Sequence, residues 1–179
     1  MFPVLRSLGK VPVFRHPLLQ RRGVISLANT KYTATAIASG AGWDGRTELE
    51  DGSLTLDMAV PQEMGGTGNG RNPDQVSSRP GICLQVPEYS NYVQCIYYLV
   101  VACFLGALQL AAKNKNVKLS NDVQVKAAVS FGDAEGSGFG LGVELTVIGA
   151  DSALAQAAHE ICPYSRLFKE GTEIKTAIE

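Results

Sequence analysis

The sequence contains no acidic residue before Asp44, although Asp and Glu total 17 in the 179-residue chain. The first 29 residues instead carry five basic side chains among scattered apolar ones, namely Arg6, Lys10, Arg15, Arg21 and Arg22. No unbroken apolar stretch follows the first charge, which argues against a secretory signal. A basic, acid-free leader is typical of a mitochondrial transit peptide, so residues 1–29 are predicted to be one. The matrix is the expected location, and the cytoplasm is the alternative if this segment is a plain tail.

Charged residues and metal-binding motifs are also scarce in this sequence. Charged residues make up only 18% of the chain and the net charge is −1, which argues against binding to the phosphates of nucleic acids. The four cysteines form no CxxC pair, and neither histidine stands at zinc-finger spacing. We therefore expect no metal site. Four cysteines in a chain of this length also disfavour a disulfide framework, which leaves inert buried thiols or a reactive pair.

Hydrophobic periodicity predicts two helices and five strands. Alternation of apolar and polar residues marks strands over 33–38, 53–60, 123–131, 141–147 and, weakly, 172–178. The helices are an apolar run over 96–112 and an amphipathic segment that begins at Asp151 or Ser152 and ends at Cys162, before Pro163. The order β-β-α-β-β-α-β favours an α+β fold with the apolar helix at its centre.

The apolar run over residues 96–112 also has the composition of a membrane span. Its 17 residues lie at the lower limit of the length needed to cross a bilayer. Gly106, Gln109 and the charged sequence on both sides favour a buried core helix instead. We expect no membrane span, and a small single-span membrane protein remains an alternative.

Two of the cysteines lie where predicted helices could bring them together. Cys103 is in the apolar helix, and Cys162 ends the amphipathic one, where His159 shares its helix face. A reactive cysteine must be ionised, and it needs a second thiol nearby to trap its sulfenic acid as a disulfide. Free cysteine is among the most buried residue types and behaves as a small apolar residue, so position alone favours inert thiols and leaves a reactive pair as the alternative.

Five ordered segments together carry a resemblance to a known family. They are QEMGG at 62–66, RNPDQ at 71–75, ACFLGAL at 102–108, GFGLGVEL at 138–145 and HEICPYS at 159–165. The two cysteine segments resemble the cysteine motifs of the organic hydroperoxide resistance branch, Ohr, of the OsmC family. The likeness extends roughly over residues 31–165, apart from one block.

The resemblance implies a fold, an activity and a set of site residues. The fold would be an intertwined homodimer in which strands wrap around two central helices. The activity would be reduction of organic and fatty-acid hydroperoxides to alcohols, with a dihydrolipoyl group or another thiol as reductant and with no bound metal or cofactor. By motif position, Cys103 would be the peroxidatic cysteine and Cys162 the resolving one, and Glu63 would orient the active-site arginine of the family.

The sequence departs from the family pattern at that arginine. The family turn GGRDG reads AGWDGR here, so Trp43 stands at the arginine position. Arg46 is the nearest replacement, and Arg71 in the glycine-rich loop is a second candidate. An arginine near the sulfur favours its thiolate, so without one the activity would be reduced. A non-catalytic OsmC-like binding protein with an impaired site is therefore the alternative function.

A second departure is a block at about residues 76–98 that has no counterpart in the family. It contains Cys83 and Cys95, which match no family position. It is interpreted either as a surface loop, since loops tolerate insertion, or as a gene-model error such as a translated intron. Residues 30–179 are thus predicted to form one OsmC/Ohr-like domain with this insertion.

Overall fold

The computed structural model describes residues 25–71, 91–172, 174 and 176, and for residues 91–95 it describes the backbone alone. The strands are β1 (Leu27–Ser39), β2 (Arg46–Leu49), β3 (Thr55–Asp57), β4 (Gln124–Ala134) and β5 (Phe139–Ile148). The helices are α1 (Asn91–Asn114), α2 (Ser152–Ile161) and α3 (Pro163–Glu170). Short 3-10 turns lie at Gly42–Asp44 and Gln62–Met64.

The five strands form one antiparallel sheet in the order β3-β2-β1-β4-β5. β1 and β4 pair along most of their length, and β4 and β5 form the predicted hairpin. Along β4, buried Val125, Ala127 and Val129 alternate with partly exposed residues. This alternation gives the sheet one apolar face, which packs against α1.

Helix α1 is the centre of the core. It packs against β1, β2 and β4 on one side and also contacts α2 and α3. The segment Ile96–Asn114 of this helix is long and apolar enough to cross a membrane, but 72% of it is buried inside the protein. That burial is what the core helix of a folded domain has, so the helix is weak evidence for a span.

Two tyrosines fix the start of α1 against the sheet. Tyr97 and Tyr98 are buried, and their hydroxyls donate to the backbone oxygens of Val129 at 3.0 Å and Leu54 at 2.9 Å. Burial raises the pKa of both phenols well above the usual range, so the hydroxyls stay protonated and act as donors. The end of the block at 76–98 is thus part of the core.

The structure shifts several predicted boundaries. α1 begins at Asn91, five residues before the predicted start, so the expected insertion at 76–98 ends within this helix. Residues 72–90, which include Cys83, lie outside the described residues. The two interpretations of this block, a loop or a gene-model error, therefore stay predictions. Leu27 and Asn29 pair with β4, so the folded domain begins before the predicted boundary at residue 30. The remainder of the predicted transit peptide, residues 1–24, also lies outside the described residues.

The α+β class is confirmed, but the predicted element order lacks β2 and α3 and contains a last strand that the described residues do not show. β2 was not predicted, because four residues give too short an alternation to recognise. The predicted strand at 53–60 is reduced to Thr55–Asp57. The described positions of the predicted strand at 172–178, namely 172, 174 and 176, have no regular structure.

The chain around α2 follows its predicted signals with one addition. The Asp151 carboxylate caps α2 by accepting from the backbone N–H of Leu154 at 2.8 Å. Pro163 ends α2, as predicted, and it also begins α3. Proline is well suited to a first helical position because that N–H needs no helical partner.

Candidate active site

Packing of α1 against α2 and α3 brings two distant sulfur atoms together. Cys103 and Cys162 are 59 positions apart in the chain, and their Sγ atoms are 3.5 Å apart. Neither is in a disulfide, and both are buried, with exposed fractions of 3% and 0%. A disulfide between them requires only a small further approach of the two sulfurs.

Cys162 lies at the junction of two helices, among hydrogen-bond donors. Its backbone is extended and links the end of α2 to the start of α3. The hydrogen bond between the two sulfurs is the main cause that lowers the pKa of Cys162, from 9.0 to about 6, and burial opposes it. The hydroxyl and backbone N–H of Ser165 and the backbone N–H of Tyr164 lower this pKa further.

The two thiols behave as one titrating unit. Sulfurs in contact do not both ionise at neutral pH, because the second negative charge is repelled by the first. Loss of one proton therefore leaves a single charge that the Cys103–Cys162 pair shares across a hydrogen bond. The donors around Cys162 favour the charge on that sulfur.

An apolar cavity of about 320 Å³ leads to one member of the pair. It is lined by Ala41, Trp43, Val60, Cys103, Gly106, Ala107, Gln109, Leu110, Ile161 and Pro163. No charged side chain is among these described lining residues, and Cys162 does not line the cavity. A molecule in the cavity would therefore meet the Cys103 sulfur first.

Trp43 forms one wall of this cavity because Gly106 leaves room for it. A Cβ atom at position 106 would lie 2.5 Å from Cδ1 and Nε1 of the indole, so only glycine allows this close packing on α1. The Nε1–H is buried and finds no acceptor in the described part of the chain. The indole thus contributes an apolar surface where the family resemblance calls for an arginine.

The predicted charged residues lie away from the cavity. Arg46 Nε is 3.3 Å from Asp57 on the neighbouring strand, and the two side chains are 59% and 78% exposed. Glu63 is exposed in the short turn Gln62–Met64, and Arg71 is exposed beside Met58. None of the three lines the cavity. The roles predicted for Arg46 and Glu63 therefore stay predictions.

The structure adds a residue that sequence reasoning missed. The hydroxyl of Ser165 lowers the pKa of Cys162, and its oxygen is 3.1 Å from Nδ1 of His159. His159 packs its ring on Phe104 with centroids 4.7 Å apart. The sequence placed His159 on the helix face of Cys162, and the described hydrogen bond of His159 is with Ser165. A hydroxyl three residues after a cysteine at a helix start was the signal available in the sequence.

We expect the sulfur pair to ionise with a midpoint near pH 6. Because the folded pKa is depressed, ionisation adds to the unfolding free energy fully above pH 9, and this contribution is lost as the pH falls from 9 to about 6. Thiolate absorbance near 240 nm, taken as the difference between the wild type and Cys162→Ser, measures the midpoint. A single step near 9 would contradict the assignment.

The same titration of an Arg46→Ala variant tests the predicted role of that arginine. A rise in the midpoint would mean that its guanidinium favours the thiolate through space. An unchanged midpoint would remove Arg46 from the mechanism.

Comparison with known proteins gives the family. No family model matches the chain. It is 33% identical over 150 residues to the organic hydroperoxide resistance protein of Xanthomonas axonopodis pv. citri, covering 80% of this chain and 91% of that protein. It is 28% identical over 154 residues to the organic hydroperoxide resistance protein OhrB of Bacillus subtilis, covering 83% and 98%. A solved structure of an organic hydroperoxide resistance protein from Legionella pneumophila aligns at 33% identity and a TM-score of 0.36, covering 80% and 93%.

The identity to the Xanthomonas protein extends over nearly all of that protein. The chain belongs to the organic hydroperoxide resistance family, the Ohr branch of the OsmC proteins.

Proposed function

We propose that this protein is a thiol peroxidase that reduces organic hydroperoxides, including those of fatty acids, to alcohols as part of the response to oxidative stress. The observation that carries the proposal is the sulfur pair at 3.5 Å, with Cys103 in the wall of an apolar cavity. Membership in a family named for resistance to organic hydroperoxides supports the same chemistry.

The oxidative step begins at the sulfur that faces the cavity. The Cys103 thiolate attacks the terminal oxygen of the hydroperoxide, the O–O bond breaks, and an alkoxide leaves. Cys103 becomes a sulfenic acid, and the alkoxide takes a proton from the Cys162 thiol, which yields the alcohol. The Cys162 thiolate then attacks the sulfenic sulfur, forming the disulfide and releasing hydroxide, which is protonated to water.

The proton that the two sulfurs share allows either cysteine to carry the negative charge. The donors at Cys162 favour the charge there, while the attack requires it on Cys103. A proton shift across the 3.5 Å contact interconverts the two forms without further movement of the chain. Peroxide consumes the form in which Cys103 carries the charge, and the proton shift replenishes it from the form in which Cys162 carries the charge.

The cavity supports an apolar substrate. Its described lining is aliphatic and aromatic apart from the thiol, the Gln109 amide and the buried indole nitrogen. Transfer of an alkyl group from water to such a surface lowers its free energy, whereas hydrogen peroxide has no apolar group to place there. An alkyl or lipid-like tail is therefore the expected feature of the substrate.

Regeneration and assembly complete the proposal. A dihydrolipoyl group, or another thiol, reduces the disulfide and restores the pair. The protein acts as a homodimer in which a second copy covers the exposed Leu110 at the cavity. The segment that precedes β1 directs it to the mitochondrial matrix, as its basic, acid-free composition indicates.

The direct test mixes the reduced protein with cumene hydroperoxide or linoleic acid hydroperoxide. We expect loss of about one peroxide per subunit without reductant, a Cys103–Cys162 disulfide by mass spectrometry, and continuous turnover with dihydrolipoamide. Absence of both peroxide loss and the disulfide would overturn the proposal. Hydrogen peroxide serves as the matched substrate control and should react more slowly.

A non-catalytic binding protein is the second candidate, and the cavity wall favours it. Trp43 replaces the arginine of the family, and no charged residue is among the described lining. Such a protein would bind apolar molecules in this cavity without consuming peroxide. The same assay separates the two functions.

A further inference from the structure

A chain of hydrogen bonds leads from the sulfur pair to a histidine. Ser165 lies three residues after Cys162 at the start of α3 and lowers the pKa of that thiol, and the Ser165 oxygen is 3.1 Å from Nδ1 of His159. A hydroxyl has one proton, so a serine that donates to sulfur must accept from the imidazole. His159 therefore donates from Nδ1, and the order is His159 to Ser165 to Cys162.

Other contacts hold this chain in place. His159 comes from the last turn of α2, its ring packs on Phe104 of α1, and Ser165 lies in the first turn of α3. The hydroxyl and the imidazole are each only partly exposed. The donor that faces Cys162 is therefore supported by three helices and is already oriented before any reaction takes place.

We propose that Ser165, held by His159, is a positioning residue that makes Cys162 the leaving thiolate when the Cys103–Cys162 disulfide is reduced. This inference rests on the proposed peroxidase function, and it deepens it by assigning which sulfur the reductant attacks.

The two sulfurs differ in access and in charge stabilisation. Cys103 lines the cavity, whereas Cys162 is completely buried and does not line it. An incoming thiolate therefore attacks Cys103 Sγ and forms a mixed disulfide there. The S–S bond breaks, and its electron pair leaves on Cys162 Sγ. The second thiol of a dithiol reductant then gives its proton to the Cys162 thiolate and attacks the mixed disulfide, which releases the Cys103 thiolate and the oxidised, cyclic reductant.

The groups around Cys162 match the needs of that leaving sulfur. A thiolate departs faster when it is better stabilised, and hydrogen bonds to a charged group are stronger than those to a neutral one. Cys103 from α1 and the backbone N–H groups of Tyr164 and Ser165 from α3 face the sulfur together with the serine hydroxyl. The donors are thus aimed at charge that develops only when the disulfide opens.

A second cavity gives the chain a route to solvent protons. It has a volume of about 380 Å³, is lined by His159, Ser165, Gln156, Phe168 and Lys169 among others, and shares no lining residue with the Cys103 cavity. Lys169 is the charged group that faces His159 there. A proton can reach the imidazole without passing through the substrate cavity.

The matched variants Ser165→Ala and Ser165→Thr test the role of the hydroxyl. The protein is oxidised to the disulfide with diamide, and reduction by dihydrolipoamide is followed through the fluorescence of Trp43, the single tryptophan, which lies at the cavity. We expect Ser165→Ala to slow reduction about tenfold, since a hydrogen bond to a charged group is lost. Its disulfide potential should fall by about 30 mV, the equivalent of tenfold in the equilibrium constant. Ser165→Thr keeps the hydroxyl and should retain both values.

A second pair of variants examines the histidine. His159→Phe keeps the ring against Phe104 but removes the nitrogen donor, whereas His159→Asn keeps a donor close to the Nδ1 position. We expect a smaller loss, about threefold, for His159→Phe, because it weakens the serine bond only indirectly. His159→Asn should restore the wild-type rate and potential.

Unchanged reduction rate and potential in Ser165→Ala would overturn the inference, and so would equal losses in the alanine and threonine variants. A mixed disulfide trapped at Cys162 instead of Cys103 would also overturn it. Since diamide forms the disulfide without peroxide, these measurements do not depend on peroxidase activity. Failure of the wild type to consume hydroperoxide would instead count against the proposed function.

Discussion

Replacement of Cys103 by serine should lower the rate of organic hydroperoxide consumption by about 1,000-fold or more, because it removes the nucleophile itself. A serine hydroxyl is not ionised near neutral pH, and the neighbouring Cys162 does not line the substrate cavity. The measurement is the initial rate of cumene hydroperoxide loss with dihydrolipoamide as reductant. The variant changes one buried atom, so its thermal unfolding serves to show that the fold is kept.

Cys162→Ser is the matched control, since it removes the other sulfur at 3.5 Å. This variant should still consume about one peroxide per subunit, form a sulfenic acid on Cys103, and then stop or proceed to the sulfinic acid. The two variants therefore separate attack from resolution. A Cys103→Ser protein that turned over peroxide at the wild-type rate would remove Cys103 from the mechanism, and equal behaviour of the two variants would remove the assigned order of roles.

Replacement of Tyr97 by alanine should lower the free energy of unfolding by about 3–5 kcal/mol, among the largest effects expected for a single change in this chain. Tyr97 is fully buried at the start of α1, and its hydroxyl donates to the backbone oxygen of Val129 at 3.0 Å. The substitution leaves a cavity between α1 and β4 and removes that bond. Chemical denaturation followed by circular dichroism measures the change.

Two companion variants give the scale of that effect. Tyr97→Phe keeps the ring and should cost only about 1 kcal/mol for the lost hydrogen bond. Lys113→Ala, at an exposed position of the same helix, should stay within about 0.5 kcal/mol of the wild type. A Tyr97→Ala protein as stable as Lys113→Ala would mean that the start of α1 does not contribute to the core. The whole block at 76–98 would then be dispensable for the stability of the fold.

Sequence reasoning succeeded where the signal is local. The alternation over 123–131 and 141–147 predicted the hairpin of β4 and β5, because side chains alternate between the faces of a strand. Asp151 or Ser152 was predicted at the start of the second helix from residue type and position, and Asp151 is its cap. β2 was missed because its four residues carry too little pattern, and Pro163 was recognised as the end of one helix but not as the start of the next.

The charged site residues show where local signals stop. Arg46 was chosen because it is close in sequence to the turn that contains Trp43. The fold instead pairs it with Asp57, since β2 and β3 are neighbours and their exposed side chains meet. Proximity along the chain did not indicate which face of the sheet or which cavity the guanidinium would reach.

The amino-acid sequence alone determined the α+β class, the apolar central helix, the hairpin, the capped second helix and the family, because each depends on neighbouring residues or on ordered motifs. Only the tertiary structure decided that the sulfurs of Cys103 and Cys162 lie 3.5 Å apart and that Cys103, but not Cys162, lines the cavity. It also decided that Ser165 lies between His159 and Cys162. The physical reason is that distances between helices, and the donors and burial that set the pKa of a thiol, depend on how separate elements pack. No periodicity within one segment encodes that packing.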